Sequence, residues 1–225
     1  MAAPRVVAAP RIVASASIAV LAGVNGAGKS SIAGAVIRHA GGDYFNPDEV
    51  ARVLRERRPS LSVRDANGLA WQQGIRLLRS AIKAGANYTF ETTLGGRTVT
   101  EELERAARAG AEVRIWYAGL SSVELHLARI AARVRRGGHD IPTADVRRRY
   151  AASERNLVRL MPHLTELLVF DNSADADPLA GSCPSPTLVL HLRRGRIVAP
   201  RDLRATPEWA KAIVAAAIKL GSGRR

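Results

Sequence analysis

The chain has 225 residues and a formal net charge of +14; it is 47% hydrophobic but only 4% aromatic. That apolar share is enough for one α/β domain and excludes wholesale disorder, and no apolar run approaches the roughly 20 residues that span a bilayer. The basic residues are nearly all arginines, spread over most helices without a zinc-finger, basic-zipper or RRM pattern, and aromatics are too few for a stacking platform, so nucleic acid is not expected as the main ligand.

Residues 1–17 are rich in Ala, Arg, Val and Pro and hold no acid, which predicts a disordered leader without the apolar block of a secretory signal. Ile18-Ala-Val-Leu-Ala22 reads as a buried strand ending at Gly23, and a helix is expected from Lys29 to about Ala40, stopped by Gly41-Gly42. Tyr44-Phe-Asn46 reads as a second short strand, with Pro47 turning the chain and Asp48 near the start of the next helix. Asp65 to Ala84 carries Ile75, Leu78 and Ile82 on one helical face. Strands at Tyr88–Phe90, Val113–Ala118 and Leu167–Phe170 alternate with helices at Thr98–Gly110, Ser121–Arg136 and Thr143–Leu160. A Pro/Ser/Asp-rich loop then leads to a hairpin, Thr187–His191 and Arg196–Val198, and a last helix from Pro207 to Leu220. The alternation predicts a doubly wound, mostly parallel sheet in a single domain over 18–220, with 221–225 a frayed tail. The lone Cys183 permits no internal disulfide and suits a reducing, cytoplasmic setting.

The chemistry starts at Gly23-Val-Asn-Gly-Ala-Gly-Lys-Ser30, a Walker A pattern between a predicted strand and a predicted helix. Glycines let backbone N–H groups curl around phosphate, Lys29 can reach the β- and γ-phosphates, Ser30 can hold Mg²⁺, and a helix N-terminus favours the negative charge. ATP with Mg²⁺ is the expected ligand pair. Asp48 lies where a carboxylate can orient an acceptor hydroxyl and take its proton; an N-terminal helix cap suits the same residue equally well. Glu91, in Phe90-Glu-Thr-Thr-Leu94, ends a strand at the sheet edge where open α/β sheets bind ligands. It could meet acceptor hydroxyls or a metal-bound water, and Thr93 could donate a hydrogen bond.

The region 121–160 reads as a lid. Val123, Leu127, Ile130 and Val134 form an apolar stripe flanked by Arg129, Arg133 and Arg136, while Arg135 points elsewhere. In the following helix Arg149 and Asn156 share a flank of the stripe Val146, Tyr150, Leu157, Leu160. Two arginine-bearing helices joined by Gly137-Gly-His139 can close guanidinium groups on a phosphoryl group. Arg135, Arg147 and Arg148 are assigned to a solvated face, and His139, for which no carboxylate or Cys partner is read from the sequence, to a turn-locking hydrogen bond.

These motifs together resemble the zeta-toxin-like P-loop kinases. The matching residues are Gly23 to Ser31, Asn46-Pro-Asp-Glu-Val-Ala51, Phe90 to Leu94, Arg129 through Arg133, Gly137-Gly-His139, Pro142, Arg149-Tyr150, Asn156-Leu157 and Asp171-Asn-Ser173. The resemblance implies ATP/Mg²⁺-dependent phosphorylation of a sugar hydroxyl, in the best-known members that of UDP-N-acetylglucosamine. It implies that Gly23, Asn25, Gly26, Ala27, Gly28, Lys29, Ser30 and Ser31 wrap the nucleotide phosphates, with Asn172 near the adenine. It makes Asp48 the general base, Glu91 and Thr93 acceptor-site residues, and Arg133 and Arg149 phosphate clamps. Implied partners are a small-molecule acceptor and an antitoxin protein. One position departs: the toxin prototypes carry an Arg where this chain has Gly95, and Arg97 is the candidate to replace it. A kinase for an antibiotic or a plain sugar is the enzyme alternative; a nucleic-acid-binding ATPase is the alternative of another class.

Overall fold

The computed structural model describes residues 15–30, 32, 37, 44–174 and 186–223. The leader up to residue 14, Ser31, most of the helix expected after Lys29, Gly41-Gly42, Cys183 and the last two tail residues lie outside the described residues.

Six strands form one sheet in the order β2-β1-β3-β4-β5-β6. Strands β1 (Ser17–Ala22), β2 (Tyr88–Thr92), β3 (Glu112–Gly119) and β4 (Glu166–Asp171) run parallel, with Val20 opposite both Phe90 and Ile115, and Ile115 opposite Leu167. Buried on both faces, these strands read as apolar runs. The expected hairpin, β5 (Thr187–Arg193) and β6 (Arg196–Ala199), adds antiparallel to β4 and completes a P-loop NTPase/kinase fold.

Helices α1 (Pro47–Arg57), α2 (Val63–Ala84), α3 (Arg97–Arg108), α4 (Val123–Arg135), α5 (Thr143–Leu160) and α6 (Lys211–Ser222) accompany the sheet. Local chemistry sets their ends. Ser62 accepts from the Asp65 N–H at 3.1 Å to open α2, and Gly85 closes it in the left-handed region at φ 65°. Ser122 accepts from the Leu125 N–H at 3.2 Å to open α4. Among the described residues no helix is long and apolar enough to cross a membrane.

Two expectations change. Residues 15–17 are part of the fold: Ala16 is buried, its carbonyl accepts from the Glu112 N–H at 2.8 Å, and Ser17 opens β1. The second strand shrinks to one bridging residue, Phe45, which pairs with β2 through Phe45 N–H to Thr89 and Glu91 N–H to the Phe45 carbonyl, each 2.9 Å. The reason is local: Asn46 already caps α1 and Pro47 starts it, so no residue beyond Phe45 remains to extend a ladder.

The main core lies along the sheet, with Ile18, Val20, Leu78, Leu103, Ile115, Leu157 and Leu167 all buried. A separate small cluster of Val24, Ile130, Ile141 and Val146 joins the loop after β1 to α4 and α5.

Candidate functional site

The loop Gly23–Ser30 leaves the carboxyl end of β1, and its shape requires small residues. Gly26 (φ 83°) and Gly28 (φ 81°) lie in the left-handed region. A Cβ on Gly28 would sit 2.4 Å from the Asn172 amide nitrogen, one on Gly26 2.9 Å from the His126 carbonyl, and one on Gly23 2.3 Å from the Ala118 carbonyl. The turn is closed by the Ala27 N–H donating to Val24 at 3.1 Å, with Ala27 fully buried. This is a cradle in which a Cβ has no room.

Lys29 is buried, with Nζ 3.4 Å from the Val24 carbonyl and 3.4 Å from Glu91 Oε1. The Ser30 hydroxyl donates to Glu91 Oε2 at 3.0 Å. The end of β2 therefore places Glu91, itself 8% exposed, directly on the Walker lysine and serine. A buried carboxylate is tolerable there because Lys29 and Ser30 both compensate it.

Asp48 occupies the first turn of α1. The cap is Asn46, whose Oδ1 accepts from the Asp48 N–H at 3.0 Å. The Asp48 carboxylate is thus not the cap, and His139 Nε2 lies 3.7 Å from its Oδ2. His139 therefore does face a carboxylate, contrary to the sequence reading; the partner is close in space and far along the chain. Thr93 lines the same cleft, its Oγ1 accepting from the Gly95 N–H at 3.4 Å and its carbonyl from the Ser153 hydroxyl at 2.8 Å.

The arginines of α4 and α5 divide. Arg149 Nη1 donates to Asn25 Oδ1 at 2.8 Å and faces the cleft. Arg133 instead donates to the His139 carbonyl at 3.0 Å, bracing the Gly137-Gly138 turn. Arg97, expected to stand in for an arginine at Gly95, pairs with Glu101 at 3.3 Å on an 87% exposed side chain outside the cleft. The space that such an arginine would need is taken: a Cβ on Gly95 would sit 2.9 Å from Arg149 Cγ. Asn172 is 4% exposed and donates from Nδ2 to the Ala27 carbonyl at 3.0 Å, which supports the loop from behind, while its buried Oδ1 has no hydrogen-bond partner among the described residues.

A cavity of about 830 Å³ brings Asn25, Lys29, Asp48, Glu91, Thr93 and Arg149 together. Its outer part is lined by Arg64, Asn67 and Trp71 of α2 and by Arg148, with Phe45, Ile75, Leu78 and Phe90 beneath. Arg148 was assigned to solvent from its helical position, and Arg64 and Trp71 sit N-terminal to the apolar stripe that marked α2. An exposed tryptophan one turn beyond Asn67 was the available signal.

Sequence reasoning also missed His126. Its ring is 1% exposed, packs edge-on against Tyr150 at 5.5 Å, and donates from Nδ1 to the Asn25 carbonyl at 2.8 Å. Burial pushes its pKa down to about 4, against the opposing pull of that hydrogen bond and with the help of nearby Lys29 and Arg129. At neutral pH it is a fixed, uncharged donor to the phosphate loop.

Residues 18–155 match the family model described as an AAA domain. The chain belongs to that family. A Haemophilus influenzae relative named only as an uncharacterized protein is 34% identical over 128 residues, covering 57% of this chain and 88% of that protein. Among solved structures, a chain of the AvrRxo1-ORF1:-ORF2 complex with ATP aligns with a TM-score of 0.62 and 17% identity, over 90% of this chain and 64% of that one. A chain of the PezAT chromosomal toxin–antitoxin system of Streptococcus pneumoniae aligns with a TM-score of 0.52 and 15% identity, over 76% of this chain and 74% of that one. At these identities the likeness shows the shared fold. This AAA-domain chain spans less than two thirds of the AvrRxo1 chain it matches.

Proposed function

We propose that this protein is a phosphotransferase that moves the γ-phosphoryl group of ATP to a hydroxyl of a small acceptor. The observation that carries the reading is the meeting of Lys29, Asp48, Glu91 and Arg149, from four separate elements, in one cavity. Lys29 and the loop N–H groups would hold the phosphates, and Asp48 would orient the acceptor hydroxyl. As the acceptor oxygen bonds to phosphorus and the bond to the bridging oxygen breaks, the hydroxyl proton passes to Asp48 and ADP carries the displaced charge. Arg149 is placed to meet the charge on the transferred group. Arg133, assigned by resemblance to a phosphate clamp, would act through the turn that presents His139.

Mg²⁺ fits this site: the Ser30 hydroxyl and the Glu91 carboxylate are adjacent hard oxygen donors beside the phosphate loop. Bound there, the ion would neutralise phosphate charge, and Glu91 would serve the metal side rather than the acceptor. Among the described residues no cluster of three His, Cys, Asp or Glu side chains offers another metal site.

For the acceptor, the sequence resemblance supports a nucleotide sugar of the UDP-N-acetylglucosamine kind, in a domain spanning about residues 18–220. An antitoxin partner rests on the same resemblance and on the fold shared with the PezAT chain. The test is a γ-phosphate transfer screen over UDP-sugars, plain sugars and hydroxylated antibiotics, with product masses measured. A mass gain of one phosphoryl group on an acceptor, lost in Asp48→Asn, supports the reading; ATP turnover to phosphate alone with every acceptor refutes it.

A further inference from the structure

Asn25 is the third residue of the phosphate loop, and both its polar ends go to the lid. Its backbone carbonyl accepts from His126 of α4, and its side-chain Oδ1 accepts from Arg149 of α5, both at 2.8 Å. It is 6% exposed, so these are enclosed contacts rather than passing surface ones. Arg149 is fixed from two further sides. Its Nη2 lies 3.8 Å from Asp145 Oδ2, and its stem is so close to Gly95 that an added Cβ would sit 3.1 Å from Arg149 Cβ and 3.2 Å from its Cα.

A carboxylate in place of Asn25 would neutralise the guanidinium and repel phosphate. A neutral amide oxygen holds its direction and leaves its charge available. Phosphate arriving at the loop would present a stronger acceptor to the same guanidinium, a short distance from where the amide already holds it.

We propose that Asn25 is a positioning residue for Arg149: the loop residue aims the lid guanidinium at the phosphoryl group before transfer. This rests on the phosphotransferase reading above. It differs from a direct phosphate role for the Asn25 side chain, which would act whether or not Arg149 is present.

The experiment is a double-mutant cycle on the full chain, with ATP as the probe. Affinity for ATP is measured by calorimetry, and turnover as γ-phosphoryl release to water or to the acceptor found by the screen. Asn25→Ala should lower kcat about tenfold or more while the Kd for ATP stays within about threefold. Combined with Arg149→Ala it should add less than about twofold, because the two residues act as one unit. Gly95→Ala, which disturbs the Arg149 stem from the other side, should reproduce the Asn25→Ala pattern. In the ligand-free protein the Arg149 side-chain N–H resonance should be dispersed, and should collapse toward the exposed-arginine envelope in Asn25→Ala. Additive losses in the cycle, or a tenfold weaker Kd for ATP in both backgrounds, overturn the proposal in favour of direct phosphate binding. An Arg149 resonance that responds to Asn25→Ala, with turnover indifferent to Arg149→Ala, overturns it differently: the contact exists, and the phosphoryl role assigned to Arg149 fails.

Discussion

His126 gives the fold a pH dependence that can be worked out. In the unfolded chain an imidazole titrates near 6.5, whereas burial holds it at about 4 in the folded protein. The folded state therefore refuses a proton that the unfolded state accepts. The resulting stability is fully present above about pH 6.5 and is lost progressively as the pH falls toward 4. At about 1.36 kcal/mol per unit, a depression of this size corresponds to about 3 kcal/mol. The assay is urea unfolding from pH 7.5 down to 4 for the wild type and for His126→Phe, which keeps a planar ring but cannot titrate. Carboxylates contribute equally to both proteins, so the difference between the two curves isolates the imidazole. His126→Phe should start less stable at pH 7, having lost the bond to Asn25, and the gap should shrink by about 3 kcal/mol on acidification. Parallel curves would refute the assignment of a buried, neutral His126.

Lys29→Ala should cost at least about 10²-fold in transfer rate. It should also lower stability by a few kcal/mol, because Glu91 is left buried without its cation, and adding Glu91→Gln should restore much of that loss; thermal melts of the single and double variants test both points. Asp48→Asn should abolish most transfer with a change in unfolding free energy under about 0.5 kcal/mol, whereas Asn46→Ala should cost about 1 kcal/mol as the lost cap. A stability loss at Asp48 as large as that at Asn46 would contradict the capping geometry. Arg97→Ala and Arg135→Ala should leave turnover within about twofold of wild type, since Arg97 is an exposed i,i+4 partner of Glu101 and such pairs are worth little.

Much of this architecture was legible because it is local. The phosphate loop is eight consecutive residues and the parallel strands are apolar runs. Asp48 was found by position, and the structure shows Asn46 rather than Asp48 serving as the cap. What escaped was non-local. His139 looked solitary because Asp48 lies on another element, and a helical wheel shows the flank of Arg133 but not the turn it braces. Gly95 appeared as a missing arginine, whereas the close approach of α5 leaves no room for a side chain there. His126 carried no motif at all, and its importance arises from burial against a loop 101 residues earlier.

The small apolar cluster joining Val24 to Ile130, Ile141 and Val146 has a consequence for breathing motions. Because Val24 of the phosphate loop packs with Ile130 of α4 and Val146 of α5, those helices cannot lift as an independent foldon without withdrawing Val24 from its neighbours. Amide exchange in α4, in the start of α5 and at the loop should therefore report one shared opening free energy, slower together when ATP is bound. A lid hinged on a polar seam would instead exchange on its own schedule while the loop stayed protected.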